Sequence, residues 1–253
     1  MCVLAFAWKA HPRWHLVMAG NRDEWHDRPA APLARWAAPA GLIAGRDLQA
    51  GGTWAGVAEQ GRFAVVTNLR GYGGPDPDRA SRGALVTDLL AGRGRYADPD
   101  TLHIADFNPF NLIIADHDRA VFFSNRPQPI RSELAPGLYG LSNGALDEPW
   151  PKTLRIKEQL LEWIVDGAVG AVALLDGLGE DRLPETGLQP STLSDVPQEP
   201  TSSPIFIRNP VYGTRCSTVV AIDTNGRGII VERRYSPAGA VIGETILDFA
   251  WPD

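Results

Sequence analysis

Short apolar runs broken by turn residues fill both ends of the chain, and this alternation constrains the fold more than any other feature. Residues 3–8 and 14–19 are each too short for a helix, and the segment between them contains Pro12, so they read as strand, turn, strand. Residues 42–44, 54–58 and 63–67 continue the pattern, the last two flanking a hairpin loop at Glu59-Gln60-Gly61-Arg62. Residues 111–115 and 120–124 form another hairpin around His117-Asp118-Arg119, and 138–141 is short and extended. Residues 218–223 and 228–235 flank Thr224-Asn225-Gly226 as the strongest hairpin, and 241–250 is a last strand.

Helical spacing is confined to the middle. Ser81-Arg82-Gly83 leads into Ala84, Leu85, Val86, Leu89 and Leu90, a short helix ending near Gly92. Residues 151–166 place Ile156, Leu160, Trp163 and Ile164 on one face, with Pro151 in the first turn. Residues 169–175 read as a second short helix. Residues 20–27 are dense in charge and are expected to end the second strand in a turn. Residues 71–77 are loop, and 184–204, with five prolines, are expected to form a long irregular loop, either over the mouth of a pocket or as a surface excursion of no consequence. Strands, then helices, then strands fit one α+β domain spanning 1–253, with sheets from both chain ends packed together and helices outside.

A chain of 253 residues, 44% of them apolar, buries a core without staples. Its formal net charge of −6 disfavours a nucleic-acid binder, which needs clustered cations. No apolar run approaches the ~20 residues of a membrane span, so no integral membrane segment is expected. Two cysteines make no disulfide framework. The first residues lack the charged leader of a signal peptide, and the expected location is cytoplasmic. Oligomeric state is not encoded in any visible pattern. His11 and His15 have a metal-like spacing, but Pro12 and a turn separate them, so neither metal nor cofactor is expected.

Cys2 is the sharpest chemical feature. Aminopeptidases remove Met1 when the next side chain is small, and an exposed Cys2 would carry both a thiol and an α-amine titrating near ~8, hence nucleophile and base in one residue. The alternative is a small buried hydrophobe in a first strand. Asn21-Arg22-Asp23-Glu24 follows the second strand, which a short hairpin returns to Cys2. Arg22 there would favour a thiolate and Asp23 would orient the amine; otherwise the quartet is a solvated turn. Asn68 and Asn143 end extended runs, as oxyanion donors or as turn residues. Arg215 would bind an acidic substrate or thiolate, or is an edge charge, and Cys216 reads as a packed thiol.

Met1-Cys2-Val3-Leu4, the quartet at 21–24, Gly51-Gly52-Thr53-Trp54-Ala55-Gly56, Thr67-Asn68, Gly140-Leu141-Ser142-Asn143, Pro149-Trp150-Pro151-Lys152 and Gly213-Thr214-Arg215-Cys216-Ser217-Thr218 together resemble the NRDE family. Its eukaryotic members are called transport and Golgi organisation proteins 2, and the resemblance runs from residue 1 to about 250. The family is similar to N-terminal nucleophile (Ntn) hydrolases of the choloylglycine hydrolase and penicillin acylase type. The resemblance implies a four-layer αββα sandwich and a cysteine nucleophile, Cys2, that attacks a linear amide or related acyl bond once Met1 is gone. It also implies that Arg22 and Asp23 contact the nucleophile, that Asn68 and Asn143 bind oxyanion and amine, and that Arg215 lies near. In the choloylglycine branch two residues separate the Arg and Asp, whereas here they are adjacent. A small-molecule amide is the implied substrate. The alternative is a non-catalytic carrier of haem or another hydrophobic ligand, since eukaryotic relatives have been linked to haem trafficking and lipid handling.

Overall fold

A computed structural model describes residues 2–182, 185–198 and 202–252. The chain begins β1 (Cys2–Trp8), β2 (Trp14–Trp25), β3 (Ala30–Arg35), β4 (Leu42–Asp47), β5 (Ala55–Ala58) and β6 (Arg62–Asn68). Helix α1 (Arg82–Ala91) follows, then β7 (Phe110–Ala115), β8 (Ala120–Ser124), β9 (Ile130–Glu133) and β10 (Gly137–Leu141). After α2 (Pro151–Val165) and the single turn α3 (Leu174–Gly177) come β11 (Tyr212–Asp223), β12 (Arg227–Tyr235) and β13 (Val241–Ala250).

Two antiparallel sheets result. One runs β10-β1-β2-β11-β12-β13 and so joins both ends of the chain; the other runs β3-β4-β5-β6-β7-β8-β9. The two-residue period of a strand sorts the side chains. Leu4, Phe6, Trp8, Leu16 and Met18 meet Val57, Phe63, Val65 and Ile113 of the second sheet. Val3, Ala5, Ala7, Val17 and Ala19 point the other way, onto Ile156, Leu160, Leu174 and Leu175 of α2 and α3. On the far face of the second sheet, Leu42, Ala44, Ala64 and Val66 receive Leu85, Val86, Leu89 and Leu90 of α1. Each layer buries both of its apolar faces or its one apolar stripe, which gives the αββα order. Helix α1 starts where the Ser81 hydroxyl accepts the Ala84 N–H and stops at Gly92 in the left-handed region (φ 62°).

Three local expectations change. The charged quartet is not a turn: β2 continues through it to Trp25. The strand survives because its polar side chains are satisfied. Asn21, fully buried, donates to the Leu178 and Ile205 carbonyls at 2.9 and 2.8 Å and accepts the Ser217 hydroxyl at 2.6 Å. Residues 169–175 form a 3-10 turn (Ala171–Ala173) leading into α3 rather than one helix. The proline-rich segment has no strand or helix among its described residues, as expected, but none of these lines the cavity around Cys2. Asp195 instead accepts the Gly71 N–H and the Leu188 N–H donates to Pro149, so the segment packs beside the start of α2. Residues 184 and 199–201 of it lie outside the described residues.

Candidate active site

Antiparallel pairing places Cys2 opposite Arg22, and the next pairing places Cys216 opposite the same Arg22. One guanidinium on the central strand therefore stands between two thiols on the strands either side of it, all on the face turned to the second sheet. Two strand spacings separate the cysteine backbones, roughly 9–10 Å. A disulfide needs less than about 7 Å, and both thiols are free. Around them opens a cavity of about 580 Å³, walled by the ends of β1, β2, β11 and β12 on one side and by β4, β6 and the start of α1 on the other.

Cys2, Arg22, Asp23, Asn68 and Arg215 all line this cavity. Asn143 does not. It is buried behind the wall, where its side-chain amide donates to the Asn68 carbonyl at 2.8 Å and its own carbonyl accepts the Arg70 N–H. Asp23 shares the face of Asn21: its carboxylate accepts the Thr214 hydroxyl at 2.6 Å, and it reaches the Cys2 sulfur through its backbone N–H. Arg215 is the extra residue of a β-bulge, since Thr214 pairs with Asp23 and Cys216 with Arg22. The bulge turns its guanidinium onto the Trp25 and Arg28 carbonyls, at 2.6 and 3.0 Å.

Burial pushes the Cys2 thiol above its ordinary range. The positive charge at the amino terminus, Arg22 and the Asp23 N–H pull it back by less, and the Asp23 carboxylate adds to the rise. Arg22 acts in the expected direction, and desolvation outweighs it. Cys216 is pushed up further, by burial and then by Glu232. A protonated Cys2 needs a base. Met1, whose removal would free one, lies outside the described residues.

Several site residues have no strong local signal. The Ser142 hydroxyl donates to the Cys2 carbonyl at 2.9 Å, and the Thr67 hydroxyl donates to the Ser142 carbonyl at 2.7 Å, so the second sheet fixes the main chain at Cys2. Glu24 and Asp47 hold Arg22 and Arg28 in one network, closest between Arg28 and Asp47 at 2.7 Å. Glu232, 4% exposed, crosses between the sheets to accept the Leu33 N–H at 2.8 Å. Of these, Ser142, Thr67 and Glu24 stood within motifs visible in the sequence, and Arg28, Asp47 and Glu232 did not. Among the described residues no group of three or more His, Cys, Asp and Glu is arranged to hold a metal ion, and no helix is long and apolar enough to cross a membrane.

The fold is similar to that of penicillin V acylase from Agrobacterium tumefaciens, with a TM-score of 0.53 at 13% identity over 98% of this chain and 86% of that one. It is also similar to a Caenorhabditis elegans N-acylethanolamine-hydrolyzing acid amidase ortholog, with a TM-score of 0.51 at 13% identity over 86% and 92%. The αββα sandwich is therefore of Ntn-hydrolase type. At the level of sequence, the Transport and Golgi organization protein 2 homolog of Homo sapiens is 32% identical and the Transport and Golgi organization 2 homolog of Mus musculus 31% identical, each over 92% of this chain and 92% of the homologue. Residues 1–237 match the family described as Transport and Golgi organisation 2, and the chain belongs to that family.

Proposed function

We propose that the chain is a cysteine Ntn hydrolase that cleaves a linear amide or related acyl bond of a small molecule after Met1 is removed. The observation that carries this reading is Cys2 itself: a second-position thiol at the end of β1, opening into a cavity beside Arg22 and Asn68, with its carbonyl fixed by Ser142. The freed α-amine of Cys2 takes the thiol proton, and the sulfur attacks the acyl carbon. Asn68 donates to the resulting oxyanion, and Asn143 holds Asn68 in place through its carbonyl. Arg22 stabilises the charged sulfur, and Asp23 and Arg215 fix the end of β2 around it. The tetrahedral intermediate collapses to an acyl thioester as the leaving amine takes the proton. Water, deprotonated by the same α-amine, then releases the acid and restores the thiol.

A carrier of hydrophobic ligands on this scaffold asks for an apolar cavity, whereas seven arginines and five carboxylates line this one. Residues 1–253 are read as one such domain because strands from both chain ends share a sheet. Intact mass of the purified protein tests the first requirement, loss of Met1. Iodoacetamide at neutral pH should then label Cys2 before Cys216, and an activated ester should leave a hydroxylamine-sensitive acyl group on Cys2. Retention of Met1, or an unacylated Cys2, would remove the hydrolase reading.

A further inference from the structure

Most of the arginines in the cavity are matched. Arg28 lies 2.7 Å from Asp47, Arg79 lies 3.6 Å from Asp76, Arg234 lies 3.8 Å from Glu232, and Arg22 has both Glu24 and Asp47 at 3.6 Å. Arg82 differs. It is the first residue of α1, and the close approach of Gly83 to Gly52 seats that turn in the cavity wall. Its Nη1 donates to the Pro109 carbonyl at 3.0 Å, and among the described residues no carboxylate lies within 4.0 Å of it. It lines the same cavity as Cys2. Arg46 and Arg215 also have no carboxylate within 4.0 Å among the described residues, but Arg46 donates to the Gly51 carbonyl and lies over the Trp36 ring, and Arg215 bridges two carbonyls.

A half-buried guanidinium with one edge unspent is a fork for a planar oxyanion. The positive end of α1 adds to its pull. Seven arginines face five carboxylates in the same cavity, an excess of positive charge that favours an anionic ligand, and one planar fork matches a single carboxylate. We propose that Arg82 binds the carboxylate of the substrate, so that the amides acted on at Cys2 carry a carboxylic acid in the same molecule. This names the substrate class of the hydrolase reading and rests on it, but its test needs no turnover.

Calorimetric titration of the full-length Cys2→Ala chain provides that test. Two ligand pairs are compared: adipic acid monoanilide with the corresponding primary amide, and hippurate with hippuramide. Each pair differs only in charge, and the two place the carboxylate on opposite sides of the amide bond. The acid of at least one pair should bind about tenfold or more tightly than its neutral partner. Adding Arg82→Met should bring that ratio close to one, Arg82→Lys should keep part of it, and Arg79→Met, which removes an equal charge already paired with Asp76, should leave it unchanged. Thermal melts of the variants show whether each remains folded, and the lysine variant decides the matter if methionine does not. Equal binding of acid and amide in both pairs, no binding of any of the four, or a preference that survives loss of Arg82 would overturn the proposal. None of these outcomes bears on whether Cys2 becomes acylated, so the two readings fail separately.

Discussion

Cys2 is held from two directions, and only one of them is its own strand. The Ser142 hydroxyl that accepts no share of the sheet's ladder spends its proton on the Cys2 carbonyl. Replacing Ser142 by Ala leaves a buried carbonyl unpaired, which costs about 1–3 kcal/mol and in a chain of this length lowers the melting temperature by roughly 2–10 °C. The larger effect should fall on the thiol: Ser142→Ala is expected to slow acylation of Cys2 more than alkylation of Cys216, measured by peptide mass spectrometry. A uniform slowing of both thiols would mean that Ser142 serves stability alone. At this scale the sequence was partly legible. Cys2, Arg22 and Asn68 were visible as chemistry because their residue types are unusual at the ends of apolar runs. Arg82 and Glu232 were not, because a single charge beside a helix start or within a strand looks the same whether it faces solvent or a cavity.

Between the elements, the register of β1 on β2 sets the site. Gly20 lies opposite Leu4, and a Cβ there would sit 2.6 Å from the Leu4 Cβ and 2.8 Å from the Val3 carbonyl oxygen. Gly20→Ala must therefore push β1 away two residues from Cys2. Overpacking of this kind costs about 1–3 kcal/mol, and urea unfolding should show it together with slower iodoacetamide labelling of Cys2. Unchanged labelling at reduced stability would show that the position of Cys2 does not depend on this contact. Strands whose two faces are both buried, such as β1, were legible as continuous apolar runs. The extension of β2 was not, since the partners that satisfy Asn21 and Asp23 come from 178, 205, 214 and 217, far along the chain. Strand β3 was hidden by Pro32, which an edge strand tolerates at the irregularity between Ala31 and Ala34. Strand β9 was hidden because all four of its residues are exposed, leaving no alternation to read.

Across the whole molecule, the two sheets meet at the cavity through a buried carboxylate. Glu232 of β12 accepts the Leu33 N–H of β3, with Cys216 and Arg22 close by. Burial raises its carboxyl, and the Leu33 N–H, Arg234, Cys216 and Arg22 lower it by less, so the folded chain holds this proton to higher pH than the unfolded chain. The contribution of Glu232 to stability is then fully present below the ordinary glutamate range, near 4.5, and declines as pH rises toward its raised folded value. Glu232→Gln keeps an oxygen for the Leu33 N–H and cannot ionise. Relative to the native chain the variant should gain stability from about pH 5 to about pH 8, because only the native side chain loses its buried proton over that range. Urea unfolding of both proteins at the two pH values measures the difference. A variant that instead loses ground as pH rises would show that ionised Glu232, paired with Arg234 at 3.8 Å, is the form that holds the sheets together.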